Sequence, residues 1–179
     1  MLMNNKEFKE KLADTREVFA VFGKPEPALK TVDELLAIEP DNIDALNLKA
    51  AILYEMDHDE ASIAVSEKIL ELCPDNIEAL HAMLAAENDQ HNYAKALKWF
   101  KKAEKAIATD KSTEFVENED YRQSLIAQVY CEKAYSLWYT DKTSEAIKVL
   151  TETGPAAAPL EIETFEDELD WLKNNPDPE

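Results

Sequence analysis

The stretch PDNIDAL at 40–46 returns as PDNIEAL at 74–80. Six of the seven positions are identical, and the offset is 74 − 40 = 34 residues. The segment ahead of each copy carries a helical rhythm. ALKTVDELLAIE (28–39) places apolar residues at 28, 29, 32, 35 and 36, and EASIAVSEKILEL (60–72) places them at 61, 63, 65, 69, 70 and 72. That is the i, i+3, i+4, i+7 spacing of one buried helix face. Pro40 and Pro74 then stop the helix, because proline lacks the N–H and pushes the residue before it out of the helical region. Asp41 and Asp75 are placed to cap the next helix, with Asp44 and Glu78 three residues on in capping-box position. A second break falls at MDHDE (56–60) and at NDQHNY (88–93). Each 34-residue unit thus reads as two antiparallel helices and two short turns. One such hairpin cannot bury its apolar face alone, so neighbours stack into a continuous core.

Registered on the two prolines, the units run 9–42, 43–76 and 77–110. A fourth fits 127–153, after 127 − 111 = 16 extra residues, KSTEFVENEDYRQSLI. At unit position 20 stand Ala28, Ser62 and Ala96; at position 4, Leu12, Leu46 and Leu80; at position 24, Val32, Ser66 and Phe100; at position 27, Leu35, Ile69 and Ala103. Tyr130, Ala134, Leu137, Ala146 and Leu150 keep the register in the fourth unit. This pattern resembles the tetratricopeptide repeat, a 34-residue helix–turn–helix unit with a small residue where its two helices touch. Arg16 and Leu84 depart from it, standing where Ala50 and Ala134 keep the family's small residue at position 8. The apolar stripe within 121–139 predicts a long first helix in unit four, starting as early as Thr113. Beyond the connector GPAAAP (154–159), Ile162, Phe165, Leu169 and Leu172 mark one face of an amphipathic helix at 160–174, followed by a disordered tail at 175–179. The expected fold class is all-α: an α-solenoid of about four hairpins with a C-terminal capping helix, in a single domain spanning 1–179.

Composition narrows the function. Only 2 glycines occur in 179 residues, too few for a sheet protein rich in tight turns or for a glycine-rich phosphate loop. The net charge is −19, from 38 acidic and 19 basic residues, which argues against nucleic acid and anionic membrane as partners. Cys73 and Cys131 lie far apart with no CxxC and read as reduced thiols. MLMNNKEFKEKL at the start carries no apolar run, and no segment approaches the ~20 apolar residues of a membrane span. A cytoplasmic protein is expected. No HExxH or GxSxG occurs. His58 and His91 fall in turns and His81 on a helix, with no Cys or carboxylate set to complete a tetrahedral site. Trp99 and Trp138 read as packing or surface residues. The sequence therefore predicts no metal, no cofactor and no catalysis.

What remains is a binding surface. In the repeat family the first helix of each unit lines the concave side. The resemblance implies a groove formed by Glu10, Asp14 and Glu17 in unit one and Asp44, Asn47, Tyr54 and Glu55 in unit two. Glu78, His81, Asn88 and Asp89 follow in unit three, and Gln128, Glu132, Tyr135, Trp138 and Tyr139 in unit four. It is acidic at one end and aromatic at the other. Family members that grip acidic chaperone tails use a basic clamp there; the matching positions here hold Ala13 and Glu78. The expected function is a protein-interaction adaptor for a basic peptide or helix. The alternative is a cytosolic chaperone of an exported client, similar to the small acidic tetratricopeptide chaperones of type III secretion. Self-association through an uncapped end is a third class.

Overall fold

The computed structural model describes residues 3–109 and 118–175, and among them every regular element is a helix. Met1–Pro74 and Asp75–Glu179 form two compact units. The first holds α1 (Asn5–Ala20), α2 (Pro25–Ile38), α3 (Ile43–Glu55) and α4 (Asp59–Leu72), each packed on the next. The second holds α5 (Ile77–Asp89), α6 (Tyr93–Thr109), α7 (Glu119–Trp138), α8 (Thr143–Lys148), a π-helical turn (Val149–Thr153), the short α9 (Gly154–Ala157) and α10 (Ile162–Asn174). Here α5, α6 and α7 pack mutually, and α8 and α10 both lie on α7.

The repeat positions are core positions. Leu12, Leu46 and Leu80 are buried, as are Ala28, Ser62 and Ala96, Val32, Ser66 and Phe100, and Leu35, Ile69 and Ala103. The small residue at position 20 does what its size allows: Ser62 sits close enough to α3 for its Oγ to donate to the Ala50 carbonyl at 2.9 Å. The first unit's core gathers Phe8, Leu12, Ala28, Val32, Leu35, Ala45, Leu48 and Ile52. Tyr130, Ala134, Leu137, Ala146 and Leu150 are buried in the second. At the departures, Leu84 is buried whereas Arg16 turns to solvent.

The inner turns repeat as well. Left-handed residues stand at Gly23, Asp57, His91 and Asp141, with φ of 59°, 57°, 59° and 60°. All four occupy unit position 15: 57 − 23 and 91 − 57 are both 34, and 141 − 91 is 34 plus the 16-residue insertion. A left-handed residue lets the following N–H reach back to the helix's orphan carbonyls. His58, Asn92 and Lys142 accordingly donate to Leu53, Glu87 and Leu137. Only Gly23 adopts this φ without a Cβ penalty.

The caps differ from the sequence expectation. Asn42 and Asn76, not Asp41 and Asp75, accept from the Ala45 and Ala79 amides at 3.0 and 2.8 Å. The helices begin one residue later, at Ile43 and Ile77, so Asp44 and Glu78 sit too early to close a capping box. Asp41 pairs instead with Lys68 at 2.9 Å. A complete capping box does form at Asn4 and Glu7. The long helix of unit four opens at Glu119 behind Asn118, whose side chain accepts from Tyr121. Thr113 lies outside the described residues, as do 176–179.

The end of the second unit closes around Phe165. Pro155 has no N–H to donate, and the helix widens ahead of it: Gly154 N–H reaches back five residues to the Val149 carbonyl. α10 buries Phe165 and Leu172 against α7 and the π-turn, Leu169 is half-buried, and Ile162 faces solvent. A Cβ on Gly154 would stand 2.5 Å from Phe165 Cε1 and 2.9 Å from the Val149 carbonyl oxygen. The glycine is what lets the ring close over the turn.

Candidate functional site

The first unit's candidate residues lie on α1 and α3. Glu10, Asp14, Glu17, Tyr54 and Glu55 are exposed, and Asp44 and Asn47 are half-buried. The acidic stripe is not free of cations, since Lys6 lies 3.6 Å from Glu10 one helical turn earlier.

The second unit brings its candidates together more tightly. α5 ends on Asn88 and Asp89, and α7 carries Glu132, Tyr135 and Trp138 along the adjoining face, with Tyr139 as its C-cap. Tyr139 stacks on Tyr93, with centroids 4.7 Å apart and planes 10° from parallel. Tyr135 leans on Tyr139 at 4.6 Å and on Tyr93 at 6.2 Å. Trp138 meets Tyr139 at 4.6 Å and Trp171 of α10 at 5.1 Å. His91 Nδ1 lies 2.8 Å from the Tyr93 hydroxyl. The three tyrosines are half-buried, so each ring keeps part of its surface toward water.

Two assigned groove residues are corrected. Asn88 is 1% exposed and Trp138 is 3% exposed, so neither is a surface contact. Asn88 Nδ2 donates to the Glu132 carboxylate at 2.6 Å and to its carbonyl at 3.0 Å, and Ser136 Oγ donates to Asn88 Oδ1 at 2.6 Å. A polar side chain at the end of α5 is thereby satisfied by α7 and locks the two helices in register. Trp138 is buried by its ring contacts. Gln128 is exposed on α7, and Glu78 accepts from the Tyr121 hydroxyl at 2.5 Å.

The electrostatics of this face run one way. Burial raises the pKa of Glu132; the Asn88 hydrogen bond opposes this, and the charges of Asp89 and Glu168 add to it. Glu168, on α10, is raised by burial and by Asp167. Burial, with the charges of Glu168 and Glu132, pushes the Cys131 thiol up to about 12, so it carries no nucleophilic thiolate. Burial raises Tyr135 strongly, and it holds the His81 imidazole neutral, with a pKa near 4. The face thus presents crowded negative charge beside open aromatic rings. Among the described residues, no group of three or more metal-ligating side chains gathers.

Sequence reasoning missed Tyr93, Glu168 and Trp171. Tyr93 belongs to a second helix, outside the first-helix positions that defined the groove. Trp171 lies one residue before Leu172 and Glu168 one residue before Leu169, on a helix read by its apolar stripe alone. A 3.6-residue period within each helix cannot show which acids of one helix oppose those of another.

No family profile matches the chain, and no curated protein matches it. Among solved structures it is similar to the one titled "MamA RS-1 ArsTM double mutant", at 17% identity and a TM-score of 0.67, over 97% of this chain and 86% of that one. That protein has a tetratricopeptide-like fold. The likeness is one of fold, and it agrees with the 34-residue register: the chain has an all-α, tetratricopeptide-like fold.

Proposed function

We propose that the chain is a tetratricopeptide-repeat protein-interaction module, cytoplasmic and without catalytic activity, that binds a basic peptide or helix. The observation that carries this is the face of the second unit where Glu132, which feels the charges of Asp89 and Glu168, stands one helical turn before Tyr135, itself packed on the rings of Tyr93 and Tyr139. A carboxylate whose pKa is raised by burial and like charge is stabilised when a cation arrives. The tyrosine rings offer a second contact to the same cation, and a guanidinium, being planar and weakly hydrated, suits a ring face better than an ammonium. Arginine set among apolar residues is therefore the favoured anchor. The acids of unit one, Asp14 and Glu17, would add steering over a longer range.

Calorimetric titration with an arginine-bearing amphipathic peptide and its glutamate counterpart tests this. The arginine peptide should bind and the glutamate peptide should not. Binding should weaken steeply between about 50 and about 300 mM salt, as surface charges are screened over ~8 Å near physiological strength. Where Glu132 is still partly protonated, binding should release protons, because the incoming cation favours the ionised carboxylate; the enthalpy should then vary with the buffer. Equal binding of both peptides, or no dependence on salt, would refute the proposal. Among the described residues, no helix is long and apolar enough to cross a membrane.

A further inference from the structure

In a chain with twice as many acids as bases, one helix is basic. Within residues 95–105 of α6 stand five lysines, Lys95, Lys98, Lys101, Lys102 and Lys105, against Glu104: a local charge of +4 in a chain at −19. All five are exposed. At 3.6 residues per turn they fall within about 120° of the helix circumference, along about 15 Å of axis. The opposite side carries Ala96, Phe100, Ala103 and Ala106, buried where α6 packs on α5 and α7. The stripe is therefore the outward face, fixed by the core rather than by the lysines. Lys95 lies 3.6 Å from Glu87. Lys98, Lys101, Lys102 and Lys105 make no ion pair with a described residue. Lys102 Nζ sits 3.8 Å over the Trp99 ring, which holds one ammonium at the middle of the stripe.

We infer that the outward face of α6 is a second interaction surface, which docks a short acidic helical segment of another protein. The spacing chooses the partner's form. Lys95, Lys98, Lys102 and Lys105 step by three, four and three residues, so glutamates stepped the same way along a facing antiparallel helix meet them in turn. The charge of the rest of the chain chooses its size. Repulsion from a body at −19 grows with the total charge of what approaches, whereas the stripe attracts only what lies within about a Debye length, ~8 Å. A peptide with four or five acids gains locally and is repelled little; a nucleic acid, a lipid surface or a second copy of this chain is repelled throughout. The face also exposes no large apolar side chain to enter a bilayer, as the only ring, Trp99, is half-buried. This surface is separate from the acidic, aromatic face of the proposed function and takes a ligand of opposite charge.

Fluorescence anisotropy with a labelled helical peptide carrying glutamate at i, i+3, i+7 and i+10 tests the inference. A permuted peptide of the same composition, with its acids spread around the helix, is the control. The striped peptide should bind at least about fivefold more tightly than the permuted one. Lys98→Glu with Lys102→Glu should weaken it at least about tenfold, which is about 1.4 kcal/mol. Lys98→Gln with Lys102→Gln should give a smaller loss, and an unchanged helical melt of both variants would exclude misfolding. Binding of the arginine-bearing peptide should survive in both. Equal binding of the striped and permuted peptides would overturn the inference, as would indifference to both double substitutions. So would tighter lysine-dependent binding to phosphatidylserine vesicles or to a short DNA duplex, which would assign the stripe to lipid or nucleic acid.

Discussion

Gly154→Ala should destabilise the protein, although the same change in an ordinary helix stabilises it. Gly154 has φ −65° and ψ −56°, helical values that any residue accepts. On backbone grounds alone, alanine would gain about 1 kcal/mol. The neighbours reverse the sign. The new methyl would lie 2.5 Å from Phe165 Cε1, 2.9 Å from Phe165 Cζ and 2.9 Å from the Val149 carbonyl oxygen. Carbon atoms rest about 3.5–4.0 Å apart, so the ring must retreat by roughly 1 Å. Phe165 is 1% exposed, and a close-packed interior resists such a shift. Overpacking of this kind costs about 1–3 kcal/mol and more than offsets the propensity gain. The net loss should be up to about 2 kcal/mol, read as a lower urea midpoint at unchanged m-value by far-ultraviolet circular dichroism. A double-mutant cycle locates the cause. In a Phe165→Leu background the ring atoms are gone and only the carbonyl contact remains, so Gly154→Ala should cost at least about 1 kcal/mol less. A stabilising Gly154→Ala, or a coupling under about 0.5 kcal/mol, would refute the idea that the glycine exists to seat the ring.

Three further outcomes follow from particular residues. Asp141→Gly should stabilise by roughly 1 kcal/mol and raise Tm by a few degrees, because it removes a Cβ from a left-handed turn residue; calorimetry measures it. His81 should make the protein less stable in acid. The unfolded imidazole takes its proton near 6.5 and the folded one only near 4, so stability is lost as the pH falls through that window. The loss between pH 7 and 5 should be about 2 kcal/mol, and His81→Gln should abolish it in paired denaturation curves. Glu132 works in the opposite sense, since its raised pKa in the folded state withdraws stability as the pH rises through it. Glu132→Gln keeps an acceptor for Asn88 and removes a crowded charge. It should raise stability at pH 7 by up to about 1 kcal/mol and weaken the arginine-bearing peptide about tenfold, the trade expected of a functional carboxylate.

The helical hairpins were legible because they repeat. Periodicity placed Leu12, Leu46 and Leu80 in the core, and the echo of Pro-Asp-Asn fixed the register. The cap was misplaced by one residue because Asp41 and Asn42 are both good N-caps, and sequence does not show which one takes extended backbone. Asn88 and Trp138 stand at first-helix positions that the family resemblance assigns to the groove. Their burial depends on Glu132 and Ser136, 44 and 48 residues after Asn88, and on Trp171 of α10. Local pattern carries no such long-range pairing. Gly154 was read only as part of a connector, since its role exists once Phe165 has folded back over it. The left-handed residues at unit position 15 are three different amino acids, so no composition rule could have aligned them.

The most direct test of the central claim is a map of where a basic ligand lands. Amide chemical shifts of the full chain, followed while the arginine-bearing peptide is added, give that map residue by residue. The account predicts that the largest saturable changes fall at Asp89, Tyr93, Glu132, Tyr135 and Tyr139, and none on the lysine face of α6. Saturable shifts confined to α2, α4 or residues 95–105 of α6, or no saturable shift at a peptide concentration of about 1 mM, which half-fills a site of about 4 kcal/mol, would contradict it.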